Sequence, residues 1–287
     1  MMGNVIFIVA RESVEALLVI GILWAWMAHR PDARAGKTWL IGGIVAGFAL
    51  ATALALALVG VATFLGNTAR SWFEVAMLAF AAALIVQMVF WMRKNGRTLK
   101  RDMETGLDQS VARANWWGVF ALAMIAIGRE GSETVVFLYG TFLQLNTAGD
   151  FTSFFGAAAI GLGLAFVLFW ALQVGARFVS WKWFFRITEW MLLFLGSALF
   201  LTAMGKLLNK HLAAYDLPGW IYSTVWDTTS ILSDSSMLGS LLATLAAYRS
   251  QPIGWDVLML ALYWGTVALL FVWQGRQSAA RPVTTTA

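Results

Sequence analysis

Residues 5–27 read VIFIVARESVEALLVIGILWAWM, and residues 116–142 read WWGVFALAMIAIGREGSETVVFLYGTF. Each run is long enough to cross a bilayer, for which about 20 mostly apolar residues suffice. Each also carries three charges, Arg11, Glu12 and Glu15 in the first and Arg129, Glu130 and Glu133 in the second. The first run has the place of a secretory leader. Its apolar stretch is interrupted by those charges, and no small-residue cleavage signature follows, so it reads as a retained membrane helix.

Composition supports lipid as the solvent. Of 287 residues, 60% are hydrophobic and only 12% charged. A soluble domain carries roughly twice that charged fraction and could not hide so much apolar surface in one core. The net charge of +5 comes from basic residues in short loops, a pattern of membrane orientation and not of nucleic-acid binding. The absence of cysteine excludes disulfides, thiolate metal sites and thiol redox chemistry.

Seven segments qualify as membrane spans, at about 5–27, 39–65, 72–92, 116–142, 154–174, 187–208 and 255–273. The chain is expected to be all-α, a single transmembrane domain over 1–287. Lys and Arg alternate in density between successive loops. One side holds fourteen, among them Arg30, Arg34, Arg97, Lys100, Arg101, Arg113, Arg177 and Arg281; the other holds four. That bias places the amino terminus outside and the carboxyl terminus in the cytoplasm.

The chain also repeats itself. Arg-Glu-x-x-Glu occurs at 11–15 and at 129–133, and Glu74 and Glu189 follow at similar distances in the third and sixth helices. Two three-helix repeats are predicted, about 5–92 and 116–208, with a seventh helix added after an outer loop, 209–254. Three is odd, so the second repeat enters the membrane from the opposite side; such inverted repeats commonly hold a substrate at their interface near the midplane. The apolar stretch Met237 to Ala247 in the outer loop is too short to span.

Ionised groups inside a membrane helix cost roughly 2.5–3.5 kcal/mol each on insertion scales, so something must offset them. At 100° per residue, Glu12 and Glu15 lie about 60° apart and Arg11 about 40° from Glu15, so all three share a face. Arg129, Glu130 and Glu133 do the same. If the faces meet, four carboxylates converge with two permanently charged guanidiniums, a net of −2 when all ionise. Such a pocket accepts a cation. Its hard oxygen ligands argue against copper(I) and suit magnesium, calcium, manganese and iron alike.

The competing readings are a buried Arg–Glu lattice that only fixes packing, and a proton relay. Glu74 and Glu189 are candidates for relay or gate carboxylates on either side of the site. Asp227 and Asp234 are candidates for an outer mouth that collects cations, or for helix caps. His29 and His211 have no partner at ligand spacing. The tryptophans near helix ends, Trp91 among them, suit an interfacial belt. Gly43, Gly47, Gly156, Gly161 and Gly163 suit close helix packing, and Gly128 and Gly131 would let a partner helix or the ion approach.

The paired motifs resemble those of the high-affinity iron permeases, the oxidase-linked iron transporters of bacteria and fungi. The resemblance covers nearly the whole chain, including Met92-Arg93-Lys94 and Trp226-Asp227-Thr228 to Asp234, and the short loops match the bacterial branch. It implies that Glu12, Glu15, Glu130 and Glu133 bind iron, ferrous or ferric, as transported substrate. It also implies a bacterial cytoplasmic-membrane location and a partner outside the membrane that oxidises or delivers iron, with no catalysis by this chain and no tightly bound organic cofactor. The alternatives are a permease for another divalent metal such as lead or manganese, and a membrane ferroxidase using the same carboxylates.

Overall fold

In lipid every backbone amide must be satisfied within its own segment, so apolar runs of this length become helices. The computed structural model describes residues 2–28, 36–95, 116–142, 145, 147–174, 181–234 and 236–279. Among them are eight α-helices: α1 (Met2–Ala28), α2 (Gly36–Phe64), α3 (Asn67–Asn95), α4 (Trp117–Phe142), α5 (Ala148–Val174), α6 (Trp181–Leu207), α7 (Met237–Ala246) and α8 (Gly254–Ala279). No strand forms among the described residues beyond one isolated antiparallel bridge, Thr224 with Ile253. The basic residues Arg30, Arg34, Arg97, Lys100, Arg101, Arg113, Arg177 and Arg281, which carry the orientation argument, lie outside the described residues, as does His29.

Five helices, α2, α3, α5, α6 and α8, are long and apolar enough to cross a membrane with at most two charges in the crossing window. Helices α1 and α4 match them in length, at 27 and 26 residues. They differ because any crossing window in either must contain all three motif charges. Helices α1, α2, α3, α5 and α6 begin three to six residues before their expected spans, and α3 and α8 also run on past theirs, whereas α4 matches its expected span to within one residue. Hydropathy marks only the lipid-embedded part, whereas a helix continues into water while its hydrogen bonds hold. Helix α3 starts at Asn67, because only Leu65 and Gly66 separate it from α2 and the Arg70 amide already bonds to the Gly66 carbonyl at 2.8 Å.

The chain divides into two compact units, Met1–Leu193 and Phe194–Ala287. In the first, the most extensive helix pairs are α2 with α4 and α1 with α5; α1 also packs on α4, and α3 on α4. Glycine makes the first two possible. A Cβ on Gly43 would stand 2.8 Å from Ala123 Cβ, and one on Gly47 2.8 Å from Ile127 Cβ. A Cβ on Gly161 would stand 2.7 Å from the Ile6 carbonyl oxygen and 3.0 Å from Val9 Cβ. Gly43 follows Arg11 by 32 residues, and Gly161 follows Arg129 by the same 32. Among the described residues, Gly156 and Gly163 have nothing within 4 Å of such a Cβ, so the packing role expected for them is not seen there. Gly131 faces Ala51 Cβ at 2.7 Å, so the helix it admits is α2. The core between α1, α2 and α4 is Val19, Leu23, Met27, Leu40, Val119 and Ala123. Large apolar side chains of α2 and α5, such as Phe48, Leu56, Phe155 and Phe166, face outward, as lipid permits.

The second unit holds the remainder of α6, the segment 208–253, and α8. Ala198, Leu201, Ala247 and Met259 form its core, and the Trp255 indole donates to the Met204 carbonyl at 3.0 Å. Helix α7 is 10 residues long, about 15 Å. That is half the hydrocarbon thickness, as its short apolar stretch predicts.

Candidate functional site

The site is built by α1 and α4, with α3 behind it. Because the spacing of each motif sets its charged residues on one helical face, the packing of α1 on α4 turns the two faces toward each other. Glu12, Glu130 and Glu133 each bring a carboxylate oxygen within 4.8 Å of the others. Glu12 and Glu130 are buried. The Oε2 atoms of Glu12, Glu130 and Glu133 are buried and have no hydrogen-bond partner. Unpartnered carboxylate oxygens in a dry interior are costly, and either a cation or a shared proton would satisfy them.

The arginines are placed differently. Arg11 donates from Nη1 to Glu12 Oε1 at 2.6 Å, and its Nη2 pairs with Glu15 Oε1. Glu15 therefore stands beside the three-oxygen cluster and is held by Arg11, within electrostatic reach of Glu12, Glu133 and Arg129. Arg129 donates from Nε to Glu133 Oε1 at 2.8 Å. Two guanidiniums face four carboxylates, so the site is short of positive charge by two when all four ionise. A divalent ion supplies that amount.

Helix α3 contributes contacts that sequence reasoning missed. Arg11 also donates from Nη1 to Met88 Sδ at 3.2 Å and from Nη2 to Met92 Sδ at 3.4 Å. The Arg129 guanidinium carbon lies 4.2 Å from the Trp91 ring centroid. Trp91 thus touches a motif arginine, a contact the belt reading did not foresee. Its nearness to a predicted helix end suggested the belt; its contact is with Arg129 of α4. The signal that could have found these residues is the spacing 88, 91, 92, one helical face.

The two carboxylates proposed for relay or gating are not in the cluster. Glu74 pairs with Arg70 at 3.6 Å, and Glu189 of α6 pairs with Arg93 of α3 at 3.2 Å, within reach of the Arg11 charge. Asp227 Oδ1 accepts from the Thr229 amide and hydroxyl at 2.9 and 2.5 Å, and Oδ2 accepts from Gln251 at 2.9 Å. These three donors hold the exposed Asp227 carboxyl below its usual range. Asp234 Oδ1 accepts from the Ser250 amide at 2.9 Å. Both aspartates brace the segment before α8. The helix cap they might have supplied for α7 comes instead from Ser236, which accepts from the Gly239 amide at 3.0 Å. An open groove of about 260 Å³ lined by Val59, Thr134, Tyr139 and Phe154 is almost wholly apolar and offers no cation ligand.

Long apolar helices that enclose a cluster of oxygen ligands, with negative charge in excess, define a multi-pass membrane protein of the ion-transporting class. The chain belongs to the iron permease FTR1 family, whose pattern matches residues 1–275. Membership makes it a permease and not an enzyme. It is similar to the ferrous iron permease EfeU of Escherichia coli O6:H1 (strain CFT073), 28% identical over 281 residues, covering 95% of this chain and 96% of the relative. It is similar to EfeU of Shigella sonnei, 29% identical with 89% and 90% covered, and of Yersinia pestis, 26% identical with 96% and 95% covered. No solved structure matches it.

Proposed function

We propose that this protein imports ferrous iron across the bacterial cytoplasmic membrane through a site made by Glu12, Glu15, Glu130 and Glu133. One observation carries the reading: three carboxylates from two helices each bring an oxygen within 4.8 Å of the others, and each of the three also has a buried Oε2 without a hydrogen-bond partner among the described residues. The relatives named as ferrous iron permeases give the cargo. The donor set alone would serve other hard or borderline divalent ions equally well.

In this account iron sheds its water and takes carboxylate oxygens in exchange. Arg11 and Arg129 keep the glutamates ionised and aimed. The membrane arrangement is seven spans, α1 to α6 and α8, with α1 and α4 included despite their charges because those charges face each other. Two inverted repeats, α1–α3 and α4–α6, are supported by reciprocal packing: the second helix of each sits on the motif helix of the other, through Gly43 and Gly161 at matching places. The amino terminus lies outside and the carboxyl terminus in the cytoplasm. Glu74 and Glu189, each held by an arginine, serve as gates to either side. An extracytoplasmic partner oxidises or delivers the iron.

The test is uptake of radiolabelled ferrous iron into proteoliposomes, with manganese and lead as competitors. Glu→Gln at 12, 130 and 133 should abolish uptake in protein that still folds, and at 15 should reduce it severely. Wild-type uptake by two or more of these variants would refute the assignment. Equal uptake of manganese would keep the site and change the cargo.

A further inference from the structure

Each motif arginine has a second, uncharged neighbour on α3. Arg11 shares its two Nη groups between the carboxylates of Glu12 and Glu15 and the sulfurs of Met88 and Met92. Arg129 divides itself between Glu133 and the face of Trp91. Met88, Trp91 and Met92 stand at i, i+3 and i+4, one face of one helix, so a single element touches both arginines. A thioether is a weak acceptor and an aromatic ring a diffuse one. Neither can win an arginine from a carboxylate. Both can keep it company once the carboxylate turns away.

A cation entering the cluster must pull Glu12 and Glu133 toward itself. The arginines cannot shed their charge, and a buried guanidinium stripped of its partners is costly. A fixed, purely ionic lattice would therefore resist loading. The α3 face offers an intermediate seat.

We propose that Met88, Trp91 and Met92 are positioning residues of the iron site, which hold Arg11 and Arg129 softly enough to release the glutamates to an arriving divalent ion. The proposal rests on the reading that iron binds those glutamates. Without the seat, each arginine leans on its glutamate and competes with the ion, so half-saturation shifts while turnover at saturating iron does not.

The experiment measures KM and kcat for ferrous iron uptake in proteoliposomes of the full chain. Trp91→Leu should raise KM about three- to thirtyfold, the span of a cation–π contact from wet to desolvated settings, with kcat unchanged. Trp91→Phe keeps a ring face and should recover most of the loss. Met92→Leu should raise KM, whereas Met92→Gln, of similar length and a stronger acceptor, should restore it. Glu12→Gln and Glu130→Gln, run alongside, separate the two claims. Loss of uptake in these two with wild-type KM in Trp91→Leu and Met92→Leu overturns the inference alone. So does a Trp91→Phe variant as impaired as Trp91→Leu, or a fall in kcat at constant KM. Wild-type uptake in the two glutamate variants overturns the parent reading. Should Trp91→Leu fail to fold, the phenylalanine and glutamine variants still decide.

Discussion

The two copies of Arg-Glu-x-x-Glu share a sequence pattern and differ in how they are held. In the first, the Arg11 side chain is 4% exposed and grips both of its glutamates and two sulfurs. In the second, the Arg129 side chain is 33% exposed, grips Glu133, and rests on one aromatic face. Glu130 makes no ion pair among the described residues and keeps a buried oxygen unpartnered. The first copy is the more fully paired of the two, although Glu12 Oε2 and Arg11 Nε also lack partners among the described residues. The lesson is that a repeated motif need not play the same part twice. Under the proposed inverted-repeat arrangement, the two motifs would face opposite sides of one site.

The comparison is broken most severely at Glu130. As the least constrained ligand it has no arginine to compensate its loss, and Glu130→Gln should lower iron affinity by more than the ~10–100-fold typical of residues that only support a ligand. Glu15→Gln should stay within that supporting range, because Glu15 acts beside the cluster through Arg11. Isothermal titration of detergent-purified protein with ferrous iron under anaerobic conditions ranks the two. Equal losses would erase the distinction drawn between them.

Next comes the contrast between the arginines. Removing one partner of a buried ion pair costs about 3–5 kcal/mol. Arg11→Gln leaves two carboxylates bare in the interior and should lower the melting temperature sharply. Arg129→Gln should lower it much less, since that side chain is one-third exposed. A thermal-shift assay in detergent decides, and equal shifts would mean that the two copies are held alike after all.

A smaller effect separates the glycines. Overpacking typically costs 1–3 kcal/mol. Gly43→Leu and Gly161→Leu should each cost about that, because α4 and α1 lie against them. Gly156→Leu and Gly163→Leu should be near neutral in the same assay. The smallest effect lies in the second unit. Its three hydrogen bonds lower the Asp227 pKa, so the stabilisation they give is fully present above the usual carboxylate value of about 3.9 and is lost as pH falls through the lowered one. Hydrogen exchange over 223–232 should therefore be insensitive to pH-driven opening near neutrality and should report loosening only in strong acid. Asp227→Asn should remove that acid step.

Much of this was legible in the residues. The spacing of 11, 12, 15 and of 129, 130, 133 puts charges on one face, and burial cost demands that such faces meet. Long apolar runs give the helices, because lipid leaves the backbone no other partner. What stayed hidden depends on tertiary distance. Nothing in the spacing distinguishes Glu15 from Glu12, and Arg11 holds both; the packing of α1 on α4 brings only Glu12 of the two into the cluster with Glu130 and Glu133. Trp91 reads as part of an interfacial belt, and nothing in the sequence ties Met88 or Met92 to the motifs, until α3 is laid against the arginines. Gly156, Gly161 and Gly163 of α5 look alike, but among the described residues only Gly161 of these three meets a neighbour. Ser236 and Asp234 are both fit to cap α7, and the turn before the helix selects the serine.

The central claim is that carboxylates of α1 and α4 hold one iron ion between them. Iron K-edge X-ray absorption on the iron-loaded protein tests it most directly, with Glu12→Gln and Glu130→Gln as comparators. The account predicts a first shell of oxygen alone, and loss of bound iron when a glutamate on either helix is changed. A shell containing sulfur, or iron retained with an unchanged spectrum after both substitutions, would contradict it.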